Sequence, residues 1–138
     1  PARFYKWGPT PLDLSDPAWQ QETFTARAVG LMPWSPVHLA GVRNGAGDLS
    51  ISWLRRTRLG GVWGDGTDVP LNEESERYEV DILNGSIVVR TIALTGPATI
   101  YTTAQQTADF GTPQSSVAVR VYQLSATVGR GWPAAATL

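Results

Sequence analysis

The sequence predicts an all-β protein, an antiparallel two-sheet sandwich preceded by an extended N-terminal strap. Three observations carry this. Short apolar/polar alternations recur along the chain, the clearest being Leu49-Ser-Ile-Ser-Trp53, Tyr78-Glu-Val-Asp-Ile82 and Val117-Ala-Val-Arg-Val121. In a strand, successive side chains point to opposite faces, so such runs bury one face and wet the other. The 14 glycines and 10 prolines among 138 residues punctuate the runs at the density that many short strands need. Finally, Val117–Leu124 alternates and then breaks into Gly129-Arg-Gly131-Trp-Pro133, a turn that hands one strand over to a last edge strand.

Taken in order, residues 1–34 read as the strap. Pro1, Pro9, Pro11, Pro17 and Pro33 interrupt them. Each proline lacks an N–H donor, so long pairing is not expected, and Thr23–Val29 is the one strand-like run. The aromatics Phe4, Tyr5, Trp7, Trp19 and Trp34 need a surface to lie against. Trp7, Trp19 and Trp34 are expected to anchor the strap to the sandwich or to an adjacent subunit.

Residues 35–138 read as the sandwich, with seven strand-like runs. Val37–Val42 follows Pro36, and Asn44–Asp48 turns into Leu49–Trp53. A Gly-rich loop spans roughly 59–75. Tyr78–Ile82 alternates apolar inward and acidic outward, and Asn84-Gly85 then signals a hairpin into Ile87–Leu94. Thr99–Tyr101 is short. Ala104–Phe110 is the one helix-compatible stretch, closed by Gly111. Val117–Val128 and Ala134–Leu138 end the domain. The expected core is Leu49, Ile51, Trp53, Tyr78, Val80, Ile82, Val119 and Val121, with Trp53 contributing most.

Composition narrows the function. There are no cysteines, which excludes disulfides and thiolate chemistry and suits a reducing compartment. With 11 basic and 12 acidic side chains, the net charge of -1 gives no field to draw nucleic acid or an anionic membrane. No apolar run approaches the ~18 residues of a membrane span, and no signal peptide is read at the start. The first residue, Pro1, fits a segment of a longer chain.

Candidate chemistry is sparse. His38, the one histidine, has no companion ligands in sequence and is expected to be structural or solvent-facing. Asp65, Asp68, Glu73, Glu74 and Glu76 gather around the long loop. Paired carboxylates could serve a glycosidase, and Asp65 and Asp68 could offer oxygens to calcium, although the spacing is no EF-hand. The plainer expectation is a solvated acidic loop facing Arg55, Arg56 and Arg58. Gly60–Gly66 has the glycines of a phosphate loop without its Lys-Ser/Thr. Trp63 on that loop either covers the sandwich edge or stands out as a contact for sugar or protein. Trp132 joins Trp63, Asp65 and Asp68 as a candidate surface contact. No cofactor and no metal are expected.

The motifs Ser50–Trp53, Tyr78–Ile82, Val117–Val121 and Gly129–Pro133 resemble strands B, C and F and the F–G turn of fibronectin type III domains. The chain departs from the family at Val117, where the family usually carries the tyrosine of its corner, and in the long loop 59–75. A narrower likeness spans strap and sandwich. Gly30-Leu-Met-Pro-Trp-Ser-Pro-Val-His-Leu39, Trp53–Arg56, Glu73–Ser75, Ala108–Gly111 and Val121–Ser125 resemble the C-terminal region of the large tail-tip (baseplate hub, host-specificity) protein of gene transfer agents and tailed phages. The resemblance implies a structural, non-enzymatic component of a phage-like particle, assembled in the bacterial cytoplasm. It would sit in a trimeric hub among other tail-tip proteins and display loops toward hub or host surface. The alternatives are a carbohydrate-binding module reading cell-surface polysaccharide through Trp63, and a small cell-wall glycosidase using the acidic loop. The glycosidase-like barrel of the larger family protein has no counterpart here, so the resemblance carries over no catalytic residue.

Overall fold

The computed structural model describes residues 1–61 and 68–138. It divides into two units, Pro1–Gly30 and Leu31–Leu138.

The first unit is an antiparallel ribbon of β1 (Ala2–Trp7) and β2 (Gln20–Thr25), paired in unbroken register from Ala2 opposite Thr25 to Trp7 opposite Gln20. This corrects the expected unpaired strap with one strand at 23–29. Its prolines interrupt no ladder, because all of them lie outside β1 and β2. The connection is a series of tight turns. Asp13 accepts from the N–H and Oγ of Ser15 at 2.8 and 2.6 Å, and Asp16 accepts from the Ala18 N–H at 2.8 Å. The Trp19 ring lies over Gly8, where even a Cβ would come within 2.8 Å of it. Both strands are exposed throughout, and Tyr5 meets Phe24 edge-on at 6.1 Å.

The second unit is the sandwich. One sheet has the order β3 (Val37–Arg43), β4 (Leu49–Leu54), β7 (Ala98–Tyr101). The other has the order β10 (Ala134–Thr137), β8 (Ala118–Ser125), β5 (Tyr78–Asn84), β6 (Ile87–Leu94), with the short β9 (Gly129–Arg130) also on β8. All pairings are antiparallel. The alternating side chains Leu49, Ile51 and Trp53 from β4 face Tyr78, Val80 and Ile82 from β5 and Val119 and Val121 from β8, and all eight are buried, joined by Tyr101 and Val117. Trp53 and Tyr78 meet edge-to-face, centroids 5.2 Å apart, a preferred arrangement for two aromatic quadrupoles.

The turns follow from local chemistry. The β5–β6 hairpin closes on Gly85 and Ser86, one residue later than Asn84-Gly85 suggests, with Gly85 at φ 61°. The run expected to extend to Val128 stops at Ser125, because residues 126–128 turn so that Gly129, at φ 77°, can pair back on Ser125. In β3, His38 sits at φ 52° where the register to β4 slips between Val37 and Ala40. It is the exposed residue of a bulge.

The connection from β7 to β8 carries the one α-helix among the described residues, α1 (Thr103–Phe110). Thr102 and Gln105 form a reciprocal capping box at its start, and Gly111 at φ 82° ends it. Gln106, fully buried, donates to the carbonyls of Gly47 at 3.0 Å and Tyr101 at 3.1 Å and accepts from the Gln114 N–H at 3.1 Å. Asp109 accepts from the Tyr101 hydroxyl at 2.7 Å and from Arg90 at 2.6 and 2.8 Å. Arg90 above all, and Tyr101, hold its carboxyl below the usual carboxylate range.

Candidate functional site

Among the described residues, the acids of the long loop and its flank are engaged by partners rather than left free. Asp68 pairs with Arg55 at 2.7 Å, and Glu76 lies 3.5 Å from the same guanidinium and accepts from the Tyr78 hydroxyl at 2.9 Å. Glu73, nearly buried, is held by Arg58 at 2.8 Å. Glu74 accepts from the N–H of Ala126 at 3.1 Å and the hydroxyl of Thr127 at 3.2 Å, so it ties the loop to the β8–β9 turn. Asn72, at φ 55°, donates to Thr57 Oγ1 and to the Leu59 carbonyl. Among the described residues no cluster of acids and histidine could hold a metal ion. Trp63 and Asp65, two of the sequence-predicted contacts, lie outside the described residues.

The acidic face of β5 also departs from the reading that put it in solvent. Asp81 does point away from the core, but it is only 2% exposed. Arg130, delivered by β9, donates to its two oxygens at 2.7 and 3.0 Å and to Glu79 at 2.6 Å, while Thr91 of β6 donates to Asp81 at 2.6 Å. The Arg130 guanidinium carbon stands 4.4 Å from the centre of the Tyr122 ring. Burial pushes the Asp81 carboxyl up, but the bonds from Arg130 and Thr91 prevail and hold it below its ordinary value.

A different surface gathers aromatic side chains. Between β9 and β10 the chain bulges: Arg130 stands opposite Leu124 and Ala134 opposite Val121, four steps against three. The bulge frees the Trp132 N–H from the ladder, and it donates to the Pro33 carbonyl at 2.9 Å. The two segments lie so close that a Cβ on Gly131 would overlap the Pro33 carbonyl oxygen and come 2.8 Å from Pro33 Cβ. Pro33 and Gly131 are buried, and the side chains beside them, Trp34 and Trp132, are 46% and 47% exposed. Arg56 closes the group. It donates to the Ser35 carbonyl at 2.9 Å and hydroxyl at 2.8 Å, and its guanidinium carbon lies 5.3 Å from the Trp34 ring centre. Together these four side chains line an open hollow of about 280 Å³.

Two expectations are thereby revised. Trp34 falls in the sandwich unit rather than in a strap ending at residue 34, because Pro33 is hydrogen-bonded to Trp132. Arg56, expected to face the acidic loop with Arg55 and Arg58, turns to Ser35 and Trp34 instead. In the ribbon, Trp7 is 62% exposed and Trp19 is spent on Gly8. We expect Gly131→Ala to cost about 2 kcal/mol through backbone overlap. Thermal melting checks this, and loss of the Trp132–Pro33 bond would appear as faster exchange of the Trp132 amide.

The architecture is a fibronectin type III-like sandwich of antiparallel sheets. No family model matches the chain, and no curated protein matches it. Among solved structures it is similar to domains d3–d4 of the rat CD45 extracellular region, at 14% identity and a TM-score of 0.53, over 99% of this chain and 62% of that one. The chain thus spans less than two thirds of that fragment's length. The FN5 domain of Drosophila Lar aligns at 14% identity and a TM-score of 0.43, over 77% of this chain and 94% of that domain. At such identities the likeness concerns the fold alone.

Proposed function

We propose that the chain is a non-enzymatic structural and interaction module of a phage-like or gene-transfer-agent tail tip, held in a homotrimeric baseplate hub among other tail-tip proteins. The observation that carries this reading is the series of motifs from Gly30–Leu39 to Val121–Ser125, which resembles the tail-tip protein and, apart from Gly30, lies in the sandwich unit. The structure supports the interaction part. A rigid sandwich holds loops in place, the usual arrangement for contact surfaces. The exposed aromatics Phe4, Tyr5, Trp7 and Phe24 give the β1–β2 ribbon a surface to dock on a hub neighbour, and a two-stranded ribbon is marginal without one. No helix among the described residues is long and apolar enough to cross a membrane.

The test is location. Antibody fragments raised against this chain should decorate one end of the tail in electron micrographs of intact particles. Particles that lack the chain altogether would overturn the reading. The enzymatic alternative is addressed by peptidoglycan release. Glu73 is clasped by Arg58 and Glu74 caps a turn, so we expect no release from the wild type and no difference in Glu73→Gln or Glu74→Gln. Release abolished by either substitution would restore the hydrolase.

A further inference from the structure

We propose that Trp34, Arg56 and Trp132 form a binding site for an acidic polysaccharide, a chain of sugar rings bearing carboxylates. The site belongs to the sandwich unit alone. It gives a ligand class to the interaction module proposed above and depends on that reading only for its biological setting.

The side chains match such a ligand group by group. Two half-exposed indoles, fixed through the Trp132–Pro33 bond, offer flat apolar faces to the C–H faces of pyranose rings. Their backbones are locked, so little ordering is left for binding to impose. The charge is complementary as well. Arg55 and Arg58 are engaged by Asp68, Glu76 and Glu73, whereas among the described residues Arg56 has no carboxylate partner and no acid lines the hollow. One edge of its guanidinium is tied to Ser35, which aims the group and leaves donors for a ligand carboxylate. The hollow, about 280 Å³ and open, suits one or two units of a longer chain passing over it. A nucleic acid would need a track of cations for its phosphates, and the site has one.

The experiment uses the full chain and carboxylated oligosaccharides of three kinds, galacturonate, alginate and hyaluronate fragments, with methyl-esterified galacturonate as the uncharged control. The readout is the indole N–H signals in nitrogen–proton NMR spectra, assigned with Trp34→Phe and Trp132→Phe. The expected result is a saturable shift of the Trp34 and Trp132 signals with at least one acidic oligomer at millimolar concentration or below, while the Trp53 signal stays still. Trp132→Ala should weaken binding about tenfold or more, and Arg56→Gln should erase the preference for acid over ester. Should Trp132→Ala misfold, Arg56→Gln, which removes the charge but keeps a polar amide at the position, carries the test alone. Absence of saturation with all three acidic oligomers, or binding that is indifferent to Arg56→Gln, overturns the proposal. So does a neighbouring protein segment found cross-linked onto Trp34 or Trp132 in assembled particles. Failure of the antibody labelling would sink the tail-tip reading and leave this result standing.

Discussion

Trp53→Ala is expected to remove about 3–5 kcal/mol of stability, the range for deleting a large aromatic from a packed core. The ring is almost wholly buried and spans the gap between the sheets, touching Tyr78 edge-to-face at 5.2 Å. Leu49 and Ile51 lie on the same face of β4 and are held by strand pairing on both sides, so they have little freedom to collapse into the void. A domain of this size holds about 5–15 kcal/mol in total, so the variant should be partly unfolded at room temperature or melt many degrees lower. Trp53→Phe should cost less, because a smaller ring can keep the contact with Tyr78. Trp132→Ala supplies the contrast within one residue type. Its ring is about half exposed, so the loss should stay under about 1 kcal/mol. Denaturant titration of the three variants checks the ordering. A Trp53→Ala protein within 1 kcal/mol of wild type would mean that the sheets are not joined through this ring.

What was legible in the sequence, and what was not, separates by range of interaction. The alternation in Leu49–Trp53, Tyr78–Ile82 and Val117–Val121 carries its own register: a period of two sorts each side chain to one face, and the core residues lie where that sorting puts them. Gly111 as the end of a short helix was equally local. The capping box of Thr102 and Gln105 was there to be read as well, since its spacing is a sequence signal. Proline density hides the β1–β2 ribbon because it describes the whole segment, whereas only proline positions matter to a ladder. The burial of Asp81 had no local signal. Its cover, Arg130, comes from a strand 49 residues later in the chain and reaches it only after β9 has paired on β8. The same holds for the aromatic hollow. Trp34 and Trp132 could each be singled out as a tryptophan in need of a role, but nothing in the spacing of two segments near opposite ends of the sandwich unit's sequence says that Pro33 and Trp132 share a hydrogen bond. The diversion of Arg56 from the acidic loop to Trp34 is a choice among three neighbouring arginines that only the packed loop makes.

Arg130→Ala is expected to reverse the pH dependence contributed by Asp81. In the wild type the carboxyl is held below its ordinary value, against the push of burial, by the bonds from Arg130 and Thr91. A depressed folded-state value means that, on acidification, the unfolded chain takes up the proton first. The stabilisation is therefore complete above the unfolded carboxylate value of about 3.9 and is lost as pH falls from there through the lower folded value. Without Arg130, the bidentate contacts at 2.7 and 3.0 Å vanish while the carboxyl stays buried. Burial then dominates, with Thr91 and the more distant charge of Arg120 offsetting part of it, and the folded-state value should rise above the unfolded one. The variant should consequently lose about 2–4 kcal/mol near neutral pH, a figure below that of a fully buried pair because Arg130 is itself partly exposed. It should then regain part of that loss as pH falls from neutrality toward 4, where the wild type gains nothing from this group. Replacing both partners, as in Asp81→Leu with Arg130→Met, should restore stability toward wild type, since no charge is left unpaired in the interior. Urea unfolding of the three proteins between pH 4 and 7 decides the matter. Parallel pH profiles in wild type and Arg130→Ala would show that Asp81 owes its ionised state to something other than Arg130.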